Sequence, residues 1–102
     1  MHEKLFWVYL LANRPRGAIY LGVTSNLVKR VWEHRLLEIP GHTRKYKITQ
    51  LVWFEQHASA EAAIGREKQM KKWKREWKVA LIEGMNPTWK DLYEDALRNQ
   101  PF

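Results

Sequence analysis

Eight consecutive apolar residues, Leu5 to Ala12 (LFWVYLLA), constrain this fold more than any other segment. The run is rich in β-formers and does not alternate, so it predicts a strand buried on both faces at the centre of a sheet. It is too short to cross a bilayer as a helix. One Lys precedes it and no small-residue cleavage site is evident, so no signal peptide is expected. Asn13-Arg14-Pro15-Arg16-Gly17 reads as a turn, in which proline fixes φ and glycine permits positive φ. Ala18–Val23 (AIYLGV) then predicts a second strand, closing a hairpin. The strand period sets Tyr20 and Gly22 on one face. A glycine there leaves room beside the tyrosine for a backbone or a ligand.

Thr24-Ser25-Asn26 supplies N-cap candidates for a helix over 26–38. Leu27, Val28, Val31, Trp32 and Leu36 form its apolar side, with Arg30 and His34 at the edge, one turn apart. Arg35 falls inside the apolar sector, which the helical period does not explain. Pro40-Gly41 is expected to end this helix, residues 41–47 to form a basic loop, and Ile48–Glu55 a third strand. Ser59 N-caps a second long helix, with Glu61 in its first turn. This helix either runs unbroken to Glu83 or breaks near Trp73, and Gly84 is its expected stop. Asn86-Pro87 reads as extended, residues 88–98 as a short final helix, and 98–102 as a frayed end. The sum is one α+β domain over residues 1–102: a small, mainly antiparallel three-stranded sheet flanked by helices.

Charge points to the partner. Lys and Arg number 18 against 11 Asp and Glu, a net +7, which favours nucleic acid ahead of an anionic membrane surface. There is no cysteine, so disulfides, thiolate nucleophiles and Cys-ligated zinc are excluded, and a cytoplasmic setting is expected. Phosphate-loop, dinucleotide, zinc-protease and serine-hydrolase motifs are absent. His2, His34, His42 and His57 lack zinc-ligand spacing. The stretch from Arg66 to Lys78 holds seven basic residues and two acidic ones. A solvated helix face is one reading of it. With Arg44, Lys45 and Lys47, its Lys68, Lys71, Lys72, Lys74 and Arg75 make the expected phosphate-binding surface, whose contribution would be salt-sensitive. Trp7, Trp32 and Trp53 are expected to fill the core. Trp73, Trp77 and Trp89 either pack or stack on the bases of a flayed strand.

Glu67 shares a helical face with Ala60, Ala63, Ile64 and Met70. A carboxylate buried there needs a cation, and spacing alone leaves a metal and a basic side chain equally open. Tyr9 and Tyr20 taken singly read as packing residues. Paired on a hairpin beside Gly22, they become candidates for chemistry. Arg30 is either a surface arginine or a fork on a phosphate. His34 is either a half-buried structural group or a proton carrier. Asn86 reads equally as a turn residue.

Trp7-Val8-Tyr9 followed by Tyr20-Leu21-Gly22 resembles the signature of the GIY-YIG nucleases, with Arg30 and His34 in that family's R-x-x-x-H position. The resemblance continues through Ala63, Glu67, Lys68 and Trp73 to Asn86-Pro87 and Trp89. It is strongest to short stand-alone bacterial members that are similar to the N-terminal nuclease domain of the excinuclease. It implies a metal-dependent endonuclease that hydrolyses DNA phosphodiesters in repair or recombination. Glu67 would be the single protein ligand of Mg²⁺, with Mn²⁺ as the alternative. One carboxylate suits Mg²⁺, which keeps several waters. Tyr9 would deprotonate the attacking water and Tyr20 would orient water or phosphate. Arg30 would offset transition-state charge, His34 would shuttle a proton or hold a phosphate oxygen, and Asn86 would lie near the scissile phosphate. A phenol with its ordinary pKa of about 10 is a weak base at neutral pH, so Tyr9 needs help. Gly22 would lie at the DNA surface with the basic residues. The implied partners are DNA, branched or flapped, and a larger repair complex. One active site further requires Glu67 on the same side of the sheet as Tyr9. The rival readings are a binding module that kept the fold without useful catalysis, and a protein–protein adaptor.

Overall fold

The computed structural model describes residues 4–98; of the end expected to fray, 98–102, Arg98 closes the last helix and residues 99–102 lie outside the described residues. The sheet is antiparallel and three-stranded, in the order β2-β1-β3, from β1 (Phe6–Ala12), β2 (Ile19–Thr24) and β3 (Gln50–His57). The helices are α1 (Leu27–Arg35), α2 (His42–Lys45), α3 (Ala60–Lys71), α4 (Arg75–Met85) and α5 (Tyr93–Arg98). The class is α+β, and the unbroken apolar run is the central strand.

Alternation along β1 sorts the two layers. Trp7, Tyr9 and Leu11 pack with Leu27 and Val31 of α1 and Ala96 of α5. Val8, Leu10 and Ala12 pack on the other face with Ala63 and Met70 of α3 and Ile82 of α4. Burying each of the Val, Leu, Ile and Met side chains stabilises by roughly 1.5–3 kcal/mol, so both layers anchor to one strand.

The hairpin turn departs from expectation in its details. Positive φ falls on Arg16 (56°), not on Gly17. Gly17 is needed for space, because a Cβ there would lie 2.1 Å from Asn13 Oδ1. That oxygen accepts the Ala18 N–H at 2.9 Å. Arg75 of α4 fixes the same turn, donating to the Arg16 and Gly17 carbonyls at 2.8 and 2.7 Å. Arg16 forks onto Glu83, which also accepts the Trp89 indole N–H at 2.8 Å.

Asn26 caps α1 as expected, its side chain accepting the Lys29 N–H at 3.1 Å. The helix stops at Arg35, before Pro40-Gly41, because Leu37 turns the chain at φ 57°. Arg35 owes its place to a distant partner: it pairs with Asp91 and lies 4.5 Å over the Tyr93 ring. Trp32, expected in the core, and Leu36, expected on the apolar side of the helix, are each 49% exposed. The basic loop carries the one-turn α2, and β3 begins at Gln50 and ends at His57, with an irregularity opposite Leu10/Leu11. Ser59 caps α3, accepting the Ala62 N–H at 3.1 Å. The long helix breaks after Lys71 and restarts from the cap residue Lys74. Gly84 lies inside α4 and Asn86 is its cap. No helix among the described residues is long and apolar enough to cross a membrane.

Candidate active site

The β1–β2 register sets Tyr9 directly opposite Gly22. The room at Gly22 is filled by Tyr9: a Cβ there would lie 2.5 Å from the Tyr9 hydroxyl oxygen. The glycine therefore makes space for a catalytic candidate rather than for nucleic acid. Tyr20, two residues before Gly22, shares that face, and its ring centroid lies 6.3 Å from that of Tyr9. His34 completes the cluster from α1, 6.1 Å from the Tyr9 ring and 5.4 Å from the Tyr20 ring. Tyr9 Oη is 3.3 Å from His34 Nε2.

On its far side, His34 Nδ1 is 3.3 Å from Thr43 Oγ1. Thr43 is buried in α2 and was missed in the sequence, where it read as one polar residue of a basic loop. Burial, with the Arg30 charge beside it, holds His34 down at about 4, and Glu33 opposes this. The ring is therefore neutral at pH 7. Burial also pushes the Tyr9 phenol well above the tyrosine range; Tyr20, Glu33 and Glu67 add to this and Arg30 opposes it.

Arg30 stands at the rim, 42% exposed in its side chain and 3.7 Å from Glu33. Both line a shallow groove of about 250 Å³ with Thr24, Ser25, Asn26 and Lys29. Glu33 is a second residue that sequence reading passed over, although its i, i+3 spacing from Arg30 was a usable signal.

The expectation that Glu67 stands on the Tyr9 side of the sheet is not met by its helix, α3. The buried side chains of its helix belong to the face opposite Tyr9. Tyr9 lies over Gly22 of β2, an edge strand, and α3 packs against β1 and β2 from behind. The Glu67 charge is nonetheless felt at the Tyr9 phenol, as the smallest of the influences on it. The Glu67 side chain is 14% exposed and meets Lys71 at 3.3 Å.

Other expected residues stand apart. Asn86 is buried, and its amide donates to the Val52 and Lys90 carbonyls at 3.2 and 2.8 Å, so it braces backbone rather than facing an open site. Arg75 is occupied by the hairpin turn. Lys68, Lys72 and Lys74 are exposed, as are Arg44, Lys45 and Lys47 around Thr43. Trp89 is buried and Trp73 partly so, while Trp77 is 51% exposed.

Residues 5–80 match the model of the GIY-YIG catalytic domain. The chain belongs to the GIY-YIG family. It is 38% identical over 66 residues to a UPF0213 protein of Haloquadratum walsbyi, covering 65% of this chain and 74% of that protein. A UPF0213 protein of Bacillus pumilus is 31% identical over 84 residues, covering 82% and 83% of the two chains. The solution NMR structure of a UPF0213 protein from Bacillus halodurans shares the fold, with TM-score 0.53 at 24% identity over 85% of this chain and 92% of its own. The family is one of nucleases. In this GIY-YIG domain both signature tyrosines, the glycine and the helix pair Arg30–His34 meet on one face of the hairpin.

The neutral His34 has a thermodynamic consequence. The unfolded chain takes up a proton near the ordinary value of 6.5, whereas the folded chain resists until about 4. Stability is therefore full above 6.5 and is lost as pH falls through that window. The urea midpoint should fall there, and it should fall less in His34→Gln.

Proposed function

We propose that this GIY-YIG domain is a metal-dependent endonuclease that hydrolyses DNA phosphodiester bonds, with flapped or branched DNA as the substrate. The observation that carries this reading is the Tyr9–Tyr20–His34 cluster with Arg30 at its rim. Family membership supports phosphodiester chemistry, and the net +7 supports a polyanionic substrate.

Glu67 fits a single Mg²⁺. Among the described residues no group of three or more His, Asp or Glu forms a metal site. Mg²⁺ needs no such group, since it takes one or two carboxylates and keeps its waters. The partner of Glu67 is a lysine whose side chain is 61% exposed, which a hydrated cation can displace. When bound, the ion supplies positive charge at the phosphate and acidifies water.

The tyrosine does not act as a free phenolate, because its pKa is raised. The hydrogen bonds offer a relay instead. With the proton of the neutral His34 on Nδ1, Thr43 Oγ1 would accept it and Nε2 would be left to accept the Tyr9 hydroxyl proton, across the two 3.3 Å contacts. The attacking water gives its proton to the Tyr9 oxygen as Tyr9 passes its own to His34. Tyr9 ends neutral and His34 cationic. Burial is the main reason His34 resists a proton and the Arg30 charge the second; a bound phosphate offsets the second, so substrate raises the affinity of His34 for that proton. Tyr20 orients the water, and the Arg30 fork meets negative charge as it grows on the phosphate.

Single-turnover cleavage by Gly22→Ala tests the arrangement. The added methyl must displace the Tyr9 ring. Misplacing a reacting group by about 1 Å costs up to roughly 10²-fold, so a loss of rate of about 10- to 100-fold with little change in DNA affinity is expected. A wild-type rate with Tyr9 displaced would remove Tyr9 from the reaction.

A further inference from the structure

One aromatic surface is not used by the relay. Trp32 is 49% exposed on α1, beside Tyr93 of α5, with ring centroids 6.2 Å apart and planes tilted by 33°. The two rings line an open groove of about 380 Å³ with Asn26, Val28 and Lys29. Tyr93 is held in place. The Arg35 guanidinium lies 4.5 Å over its ring and pairs with Asp91, which also accepts the Tyr93 N–H at 3.0 Å.

The neighbours of the groove identify its occupant. Asn26 and Lys29 line this groove and also the one that contains Arg30. The groove of the aromatic pair therefore adjoins, at Asn26 and Lys29, the one that holds the proposed phosphate position. Lys29 lines the groove one turn before Trp32, and Arg35, paired with Asp91, lies over the Tyr93 ring. An exposed aromatic pair beside a lysine, adjoining a phosphate site, suits a planar base on an anionic backbone. Bases inside a duplex are already stacked and are not available to it.

We propose that Trp32 and Tyr93 form a stacking site for an unpaired base of the DNA strand whose phosphate lies at Arg30. The site rests on the nuclease reading for the position of that phosphate, and it selects substrates with a single-stranded segment.

Equilibrium binding tests it, with metal chelated so that nothing is cut. The probes are a labelled single-stranded oligonucleotide and a blunt duplex of the same length. Trp32→Ala should weaken single-strand binding by about 5- to 100-fold, the range for losing one stacked base. Duplex affinity and the salt slope should stay as in wild type, since no phosphate contact is removed. Trp32→Phe should restore most of the affinity. An abasic nucleotide at the stacked position should weaken wild type and leave Trp32→Ala unaffected. Equal losses on both probes, no loss on the single strand, or no wild-type binding to the single strand would each overturn the site. The two readings separate cleanly. A chain that binds single strands through Trp32 yet cuts nothing keeps the stacking site and loses the nuclease reading. A chain that cuts, with single-strand affinity unmoved by Trp32→Ala, does the reverse.

Discussion

Glu67→Gln is expected to abolish Mg²⁺-dependent cleavage and leave the fold intact. Glutamine keeps the volume and removes the charge a cation needs. Lys71 loses its partner, but its side chain is 61% exposed, and such pairs are worth only about 0–1 kcal/mol. The thermal midpoint should therefore barely move. A second readout does not depend on activity. Mg²⁺ binding to the folded state should raise the wild-type midpoint by mass action and should not raise that of Glu67→Gln. A variant that cuts at the wild-type rate would end the assignment of Glu67 as the metal ligand.

Arg30→Ala should lower cleavage far more than DNA affinity. A donor aimed at developing charge acts mainly on the barrier, and losing one costs about 10²–10³ in rate. Arg30→Lys should restore only part, because an ammonium lacks the planar fork. The same change carries an electrostatic signature. Arg30 helps hold His34 down and opposes the rise at Tyr9, so both groups should titrate higher in Arg30→Ala. NMR titration of the His34 ring would read this directly. Equal losses of affinity and rate would make Arg30 a phosphate anchor only.

What could be read from the sequence was local. The apolar run of β1, the caps Asn26 and Ser59 and the turn at residues 13–17 each carry their signal within a few residues. The early end of α1 was hidden because no residue type announces Leu37 at positive φ. Trp32 shows a different failure. Helical period set it on the apolar side, but the buried face of α1 is Leu27, Val31 and His34, and period cannot say what stands opposite. The short α5 supplies only Ala96 to the buried cluster and leaves Trp32 open beside Tyr93. Arg35 was unexplained because its partner Asp91 lies 56 residues away.

The site divides in the same way. Tyr9, Tyr20, Arg30 and His34 were visible because hairpin register and one helical turn are short-range geometry. The Thr43–His34 contact was not, since it depends on how the 41–47 segment folds back. For Glu67 the period found the buried side of α3, yet not which face of the sheet that side covers. Asn86 entered through the resemblance and Arg75 through its charge, but Arg75 is held by the Arg16 and Gly17 carbonyls and the Asn86 amide by those of Val52, 34 residues away, and Lys90.

The most direct measurement is a nicking assay of the wild-type chain on flapped, branched and plain duplex DNA, with and without Mg²⁺. Nicking that requires Mg²⁺, favours DNA with an unpaired segment and disappears in Glu67→Gln is the predicted result. DNA that is bound in a salt-sensitive way yet stays intact on every substrate with Mg²⁺ present would contradict it, and would leave a binding module built on the same fold.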